Sequence, residues 1–235
     1  MEQRLISQGI LLYKTGKYTE ALHFFQSLSS EQVNDLDVIY FIGLCYMKLK
    51  RYEDALLYLE QVVTAIPGDD IQQDRILQCR LVLAVIYATT GRSRLAEFEL
   101  RSLKETGYNP CAVYAAMAYI SWLQQDYTKS IEQYEKVLEM EPENITALNG
   151  LGYVLACLNK DLTRALMLSK RALDISPNSP ACLDTLGWVY YKLGLLDEAE
   201  NFLRKALEKD MSNEEILEHL KMIQASRENS ASGGK

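Results

Sequence analysis

Small residues recur along this chain in two series that are separated by a nearly constant number of residues. Six positions carry glycine or alanine at intervals of 34, 41, 34, 34 and 35 residues, and alanine or serine follows each after twelve or thirteen residues. The first series is Gly9, Gly43, Ala84, Ala118, Gly152 and Gly187, and the second is Ala21, Ala55, Ala96, Ser130, Ala165 and Ala199. This period predicts a stack of helical hairpins, because one such repeat cannot bury its apolar face alone.

The small residues have a physical reason to be there. Two helices can cross closely only where neither carries a bulky side chain, and a large residue at that point would push them apart. Apolar residues lie around these points at helical spacing, as at Ile39, Ile42 and Tyr46. Three prolines mark the predicted ends of second helices, namely Pro67, Pro142 and Pro177.

The residues that carry this period resemble the tetratricopeptide repeat family. The last copy, LGWVYYKLGLLDEA, is the best match, and the resemblance extends over roughly residues 2–213. It implies an all-α fold, a right-handed superhelical α-solenoid of six helical hairpins with a C-terminal capping helix. It also implies that function is located on a protein-binding surface, although the fold alone does not specify the partner.

The period defines the expected boundaries of the chain. We expect a single repeat domain over residues 1–226, and its repeats are near 2–35, 36–76, 77–110, 111–144, 145–179 and 180–213. The long interval falls in GDDIQQDRI, which predicts a first helix of the third repeat lengthened by about two turns. Residues 213–226 predict a capping helix with one apolar face. The polar, glycine- and serine-rich residues 227–235 predict a disordered tail.

Composition excludes several classes of partner. The chain has 32 acidic and 25 basic residues, a formal charge of −7 and no Lys/Arg cluster, which argues against binding to nucleic acid. No stretch approaches the roughly 20 apolar residues that cross a bilayer, so membrane insertion is not expected. The first residues lack the pattern of a signal peptide, which favours a cytoplasmic location. The bacterial periplasm is the alternative if a signal sequence has been removed.

No motif in the sequence predicts catalysis, a metal or a cofactor. The five cysteines lack paired CxxC spacing and are interpreted as core residues. The two histidines, His23 and His219, are far apart, and phosphate-binding glycine loops, HExxH and nucleophile elbows are missing. Asp69 and Asp70 are interpreted as a helix cap and first turn, and Asn144 as another helix cap. We therefore expect a protein that is not an enzyme.

The resemblance also implies which face binds a partner. In family members, the residues three before, one after and four after the first small site line a concave groove, and their spacing puts them on one helix face. The partner-binding residues predicted in this way are Tyr13, Tyr40, Leu44, Met47, Leu81, Val85, Tyr119, Trp122, Asn149, Tyr153, Trp188 and Tyr191. A lining rich in aromatic residues predicts that the groove buries an apolar or amphipathic segment of another protein.

Three functions are compatible with this groove. The first is an adaptor that assists the assembly of a larger complex. The second is a structural subunit that associates with copies of itself, in which case part of the stripe packs against helices or another protomer. The third follows from LNGLGYVLA and LDTLGWVYYKLG, which look like repeats of bacterial envelope adaptors that deliver substrates to processing proteases.

Chaperone-binding members of the family clamp a carboxylate with Lys, Arg and Asn. The predicted groove of this chain offers only Asn149 of these residue types.

Overall fold

A computed structural model describes residues 2–28, 35–211 and 213–232 of the chain. Within these ranges the backbone forms thirteen α-helices and no β-strand, which confirms the all-α class. The helices are α1 (Glu2–Lys14), α2 (Tyr18–Gln26), α3 (Leu36–Lys48), α4 (Tyr52–Thr64), α5 (Asp70–Thr89), α6 (Ser93–Thr106), α7 (Pro110–Leu123), α8 (Tyr127–Met140), α9 (Ile145–Cys157), α10 (Leu162–Ile175), α11 (Pro180–Lys192), α12 (Leu196–Lys209) and α13 (Glu214–Ser232). No helix of these described ranges is long and apolar enough to cross a membrane.

The chain forms two compact units. Residues 1–116 make the first and residues 117–235 the second, so their boundary falls inside α7, within the span that the sequence predicts as one domain. In the first unit α1 packs with α2, α3 with α4, and α5 with α6. In the second unit α9 packs with α10 and α11 with α12, while Ser121 of α7 donates a hydrogen bond to Gln133 of α8. The six predicted helix pairs are therefore found among the described residues.

Glycines allow the two helices of a pair to approach closely. A side-chain carbon added to Gly187 would lie 3.1 Å from the carbonyl oxygen of Ala199, and one added to Gly152 would lie 3.3 Å from that of Ala165. Each pair joins a residue of the first small series to its predicted partner in the second. At these two pairs the structure confirms that the small residues mark a helix crossing, since a larger side chain would overlap a neighbour.

Short polar side chains fix where helices begin. Asn144 accepts a hydrogen bond from the backbone of Ala147 at 3.1 Å, and Asp69 accepts one from Gln72 at 2.8 Å, as expected for helix caps. The cap at Asp69 makes α5 begin early in the third repeat. This helix therefore has 20 residues, whereas α3, the first helix of the second repeat, has 13. The prediction of a lengthened helix in the third repeat is confirmed.

Helix α13 covers the apolar flank of the sixth pair. Its residues Ile216, Leu220 and Ile223 are buried in one cluster with Leu183 and Leu203. The helix continues to Ser232, six residues past the expected end of the cap at residue 226. The guanidinium of Arg227 explains part of this extension, because it forms ion pairs with Asp197 and Glu200 of α12. Residue 212 and residues 233–235, which the predicted helix start and tail include, lie outside the described residues.

Candidate functional site

The predicted partner-binding residues of the first unit are all buried or partly buried among the helices of that unit. Tyr40 and Leu44 are buried, each 6% exposed. Partial burial is found for the other four predicted residues of this unit, Tyr13, Met47, Leu81 and Val85. The phenol of Tyr13 lies edge-on to Phe41, with ring centroids 5.6 Å apart. Burial raises the pKa of Tyr13 well above its ordinary value.

A cation covers Tyr40. The guanidinium of Arg75 lies 4.7 Å from the centre of the Tyr40 ring and donates a hydrogen bond to Asp37 at 2.7 Å. Burial raises the pKa of Tyr40 to about 12, although the charge of Arg75 acts in the opposite direction. Arg75 lies in the lengthened part of α5, so this extension supplies the side chain that covers Tyr40.

The second unit contains an open cavity of about 570 Å³. Four predicted partner-binding residues line it, namely Tyr119, Trp122, Asn149 and Tyr153. They come from α7 and α9, each the first helix of its pair, and line the cavity together. Tyr119 is 39% exposed, whereas the other three are partly buried. Further lining comes from the N-terminal ends of α11 and α13.

Aromatic rings form one wall of this cavity. The Trp122 and Tyr153 rings meet edge to face, with centroids 5.7 Å apart. The Tyr153 hydroxyl donates a hydrogen bond to Glu215 Oε1 at 2.8 Å, which connects α9 to the first turn of α13. Burial raises the pKa of Tyr153 above its ordinary value, and the Glu215 carboxylate adds to this shift. The hydroxyl is therefore a hydrogen-bond donor throughout the physiological pH range.

Asn149 presents an unsatisfied polar atom in the same cavity. Its amide oxygen is buried and has no hydrogen-bond partner among the described residues. A buried acceptor without a donor costs roughly 1–3 kcal/mol, so a ligand that supplies a donor would recover this free energy. Such an atom calls for a donor from a ligand or from ordered water.

The remaining predicted residues of the stripe are in contact with α13. Trp188 is 6% exposed, and its indole nitrogen donates to Cys157 Sγ at 3.3 Å. The Tyr191 hydroxyl is hydrogen-bonded to Ser226 Oγ at 3.1 Å. Lys192 places its ammonium 4.7 Å from the centre of the Trp188 ring. Trp188, which stacks on His219, and Tyr191 therefore contact α13 and do not line the cavity.

Three potential metal-ligating atoms lie close together beside the cavity. They belong to Asp184, Glu215 and His219, and all lie within 4.8 Å of one another. All three groups already take part in hydrogen bonds, because His219 Nδ1 and Asp184 Oδ1 share one of 2.9 Å and Glu215 accepts one from Tyr153. His219 is buried, 6% exposed, between α11 and the rest of α13.

Glu215 and Tyr134 are among the cavity residues that the sequence argument missed. Glu215 lies in the terminal helix, which belongs to no repeat, and Tyr134 lies on the second helix α8. One signal for Tyr134 was present, since LNGLG carries an extra glycine at Gly150 inside a helix. A side-chain carbon at Gly150 would approach the Tyr134 hydroxyl to 2.6 Å, so glycine is required where that phenol crosses α9.

Comparisons with curated proteins show likeness over parts of the chain. It is 26% identical over 142 residues to cellulose synthase operon protein C of Escherichia coli K12, which covers 60% of this chain and 12% of that protein. It is 38% identical over 58 residues to intraflagellar transport protein 70A of Danio rerio, covering 25% of this chain and 9% of the relative. The chain thus spans only a small fraction of either relative's length.

Solved structures share the fold over almost the whole chain. A tetratricopeptide repeat protein from Parabacteroides merdae superposes with a TM-score of 0.74 at 16% identity, covering 95% of this chain and 84% of its own. The APC/C hetero-tetramer Cut9-Hcn1 gives a TM-score of 0.67 at 14% identity, with 95% of this chain and 43% of the other covered. At these identities the likeness concerns the fold alone.

Family models match three segments of the chain. The model described as anaphase-promoting complex, cyclosome, subunit 3 matches residues 3–62. Two models described as tetratricopeptide repeat match residues 112–144 and 143–211. These matches show tetratricopeptide repeats over residues 112–211, and the paired helices and the repeat period support a tetratricopeptide repeat family protein over the rest of the described chain.

Proposed function

We propose that this chain is a non-enzymatic adaptor that holds a segment of a partner protein in the cavity of its second unit and assists the assembly of a larger complex. The tetratricopeptide fold supports a role in protein–protein interaction. The observation that carries the proposal is the open cavity of about 570 Å³, in which aromatic rings and the unpartnered Asn149 oxygen lie together. Concave, largely apolar sites with a few polar groups are typical of ligand binding.

The aromatic residues of the cavity wall would contribute most of the binding free energy for a partner segment. Tyr119 and Trp122 present large rigid surfaces, and burial of such residues at the centre of an interface commonly contributes about 2 kcal/mol or more. A tyrosine hydroxyl and an indole N–H also form hydrogen bonds at interfaces, for example to a peptide backbone. The lining therefore suits an amphipathic segment.

Affinity capture from the native cell extract tests this proposal. The double variant Tyr119→Ala/Trp122→Ala removes the aromatic wall, and Met167→Ala is the matched control. Met167 is 55% exposed on the second helix α10 and does not line the cavity. We expect proteins that the wild type and Met167→Ala retain and that the double variant loses, while circular dichroism shows unchanged helicity. Equal capture by a folded double variant would contradict the proposal.

The same variants distinguish the adaptor function from self-association of the chain. If a second copy of the chain occupied the cavity, the mass measured by sedimentation equilibrium would rise with concentration for the wild type. The mass of Tyr119→Ala/Trp122→Ala would then stay that of a monomer. A wild type that remains monomeric while it captures other proteins supports the adaptor function.

A further inference from the structure

The charged residues that line the cavity are all acidic. Asp184 and Glu215 contribute carboxylates, and neither lysine nor arginine is found among the described lining residues. Glu215 is exposed, whereas Asp184 is 6% exposed beside His219. Two carboxylates at the wall of a partly enclosed site favour a positively charged ligand group, because low-dielectric walls weaken the screening by water.

The aromatic wall reinforces this preference. Tryptophan and tyrosine faces carry negative electrostatic potential and attract cations that lie within about 6 Å of the ring centre. Trp122 and Tyr153 border the cavity on the same side as Glu215, since the Tyr153 hydroxyl is bonded to that carboxylate. A cation placed there would meet π faces and a carboxylate together.

Asn149 adds a neutral acceptor to the same wall. Its buried amide oxygen can accept a hydrogen bond but has no donor among the described residues. A guanidinium has five N–H donors and a flat apolar face, so it can bond to an amide oxygen and a carboxylate while it stacks on an aromatic ring. An ammonium group can satisfy the acceptors but stacks less well.

Helix N-termini are the feature that would favour an anion instead. The first turns of α9, α11 and α13 border the cavity. However, side-chain oxygens of Asn144, Ser179 and Asn213 already accept hydrogen bonds from backbone N–H groups of these turns. The remaining attraction of a helix N-terminus for an anion is worth about 0.3–1 kcal/mol and decays within one turn. The attraction of a full carboxylate charge for a cation at close range is stronger.

We infer that the cavity of the second unit receives a basic side chain, preferably arginine, from the partner segment, with Glu215 as its counter-charge, Asn149 as its neutral acceptor and the Trp122 and Tyr153 rings as its stacking wall. This inference rests on the proposed function and specifies the partner as a basic segment of another protein. It differs from a carboxylate clamp, which would need cationic residues in the cavity.

Peptide display tests the inference with a defined probe. A library of random twelve-residue peptides is selected in parallel on the immobilised wild type, on Glu215→Gln and on the control Met167→Ala. Glutamine keeps an oxygen for the Tyr153 hydroxyl, so the variant loses charge with little change in shape. Because Glu215 lies near the N-terminus of α13, thermal unfolding of each variant checks that the helix is retained.

The inference predicts arginine enrichment at a fixed position on the wild type and on Met167→Ala, and loss of this enrichment on Glu215→Gln. A selected peptide resynthesised with citrulline, the neutral isostere of arginine, should bind at least tenfold more weakly by calorimetry. Enrichment of acidic or purely apolar peptides, or equal affinity of the citrulline peptide, would overturn the inference and leave the proposed function standing. If the wild type enriches no sequence over the bare support, the proposed function fails as well.

Discussion

The indole of Trp188 stacks on the imidazole of His219, with ring centroids 4.1 Å apart and planes at 18°. The same imidazole is hydrogen-bonded to Asp184, so α11 holds α13 through a stacked pair and a polar pair. The sequence predicts Trp188 as a partner-binding residue, but the chain itself covers this indole. Of the two tryptophans, only Trp122 lines the cavity.

Trp188→Ala should destabilise the second unit. Its indole is 6% exposed, and removal of a buried aromatic side chain typically costs about 3–5 kcal/mol through lost burial and the cavity left behind. Urea unfolding monitored by circular dichroism measures the loss. The control Met167→Ala, on an exposed site, should change the free energy of unfolding by less than about 0.5 kcal/mol. A loss for Trp188→Ala no larger than that would mean that the indole is not a packing residue.

Removal of residues 213–235 should destabilise the chain and promote aggregation. Ile216, Leu220 and Ile223 leave with this segment, so the apolar flank around Leu183 and Leu203 becomes exposed. Deletion of residues 229–235 is the control, since it keeps Arg227 and its ion pairs with α12. Differential scanning calorimetry and light scattering compare the three proteins. If the longer truncation melts like the wild type, α13 is not a capping helix.

Gly187→Val should separate α11 from α12. A side-chain carbon there would lie 2.8 Å from Leu203 Cγ and 3.1 Å from the Ala199 carbonyl oxygen, and both neighbours are buried. Overpacking of this kind costs about 1–3 kcal/mol, which urea unfolding resolves. Gly68→Ala is the matched control, because the nearest atom to its added carbon would be Gln72 Oε1 at 3.4 Å. Equal stability of the two variants would show that Gly187 does not mark a tight crossing.

The fold could be predicted from the sequence because its information is local and periodic. Gly152 with Ala165 and Gly187 with Ala199 sit at fixed intervals, and each pair meets in the structure as the period requires. A single cap residue, Asp69, was enough to place the start of the longest helix. Local patterns of this kind need no knowledge of distant contacts.

The site could be predicted only in part, because residues outside the repeat period decide which groove residues stay accessible. Tyr119 and Trp122, which the spacing puts on one helix face, both line the cavity. It could not show that Arg75 lies over Tyr40 or that His219 lies over Trp188, since both contacts join residues more than 30 positions apart. Glu215 was missed for the same reason.

Ser130→Ala should stabilise the chain. Ser130 is the one serine in a series otherwise made of alanine, and its buried hydroxyl has no hydrogen-bond partner among the described residues. Removal of an unsatisfied buried hydroxyl recovers its desolvation cost, and alanine is also the better helix former. We expect a gain of about 1 kcal/mol in urea unfolding. A loss of similar size would show that the hydroxyl is bonded in solution.

The stability of the chain should fall as the pH rises above 9, and Cys45 should account for part of this loss. Burial raises the pKa of its thiol from 9.0 to about 12, so between these values the folded chain keeps a proton that the unfolded chain releases. The contribution is fully present below pH 9 and decreases by about 1.4 kcal/mol for each pH unit above it, until the folded thiol titrates. Between pH 8 and pH 10, Cys45→Ala should therefore lose about 1.4 kcal/mol less than the wild type in urea unfolding. Identical pH dependence of the two proteins would show that Cys45 is accessible to water in the folded state, and labelling by a thiol reagent at pH 8 would reveal the same exposure.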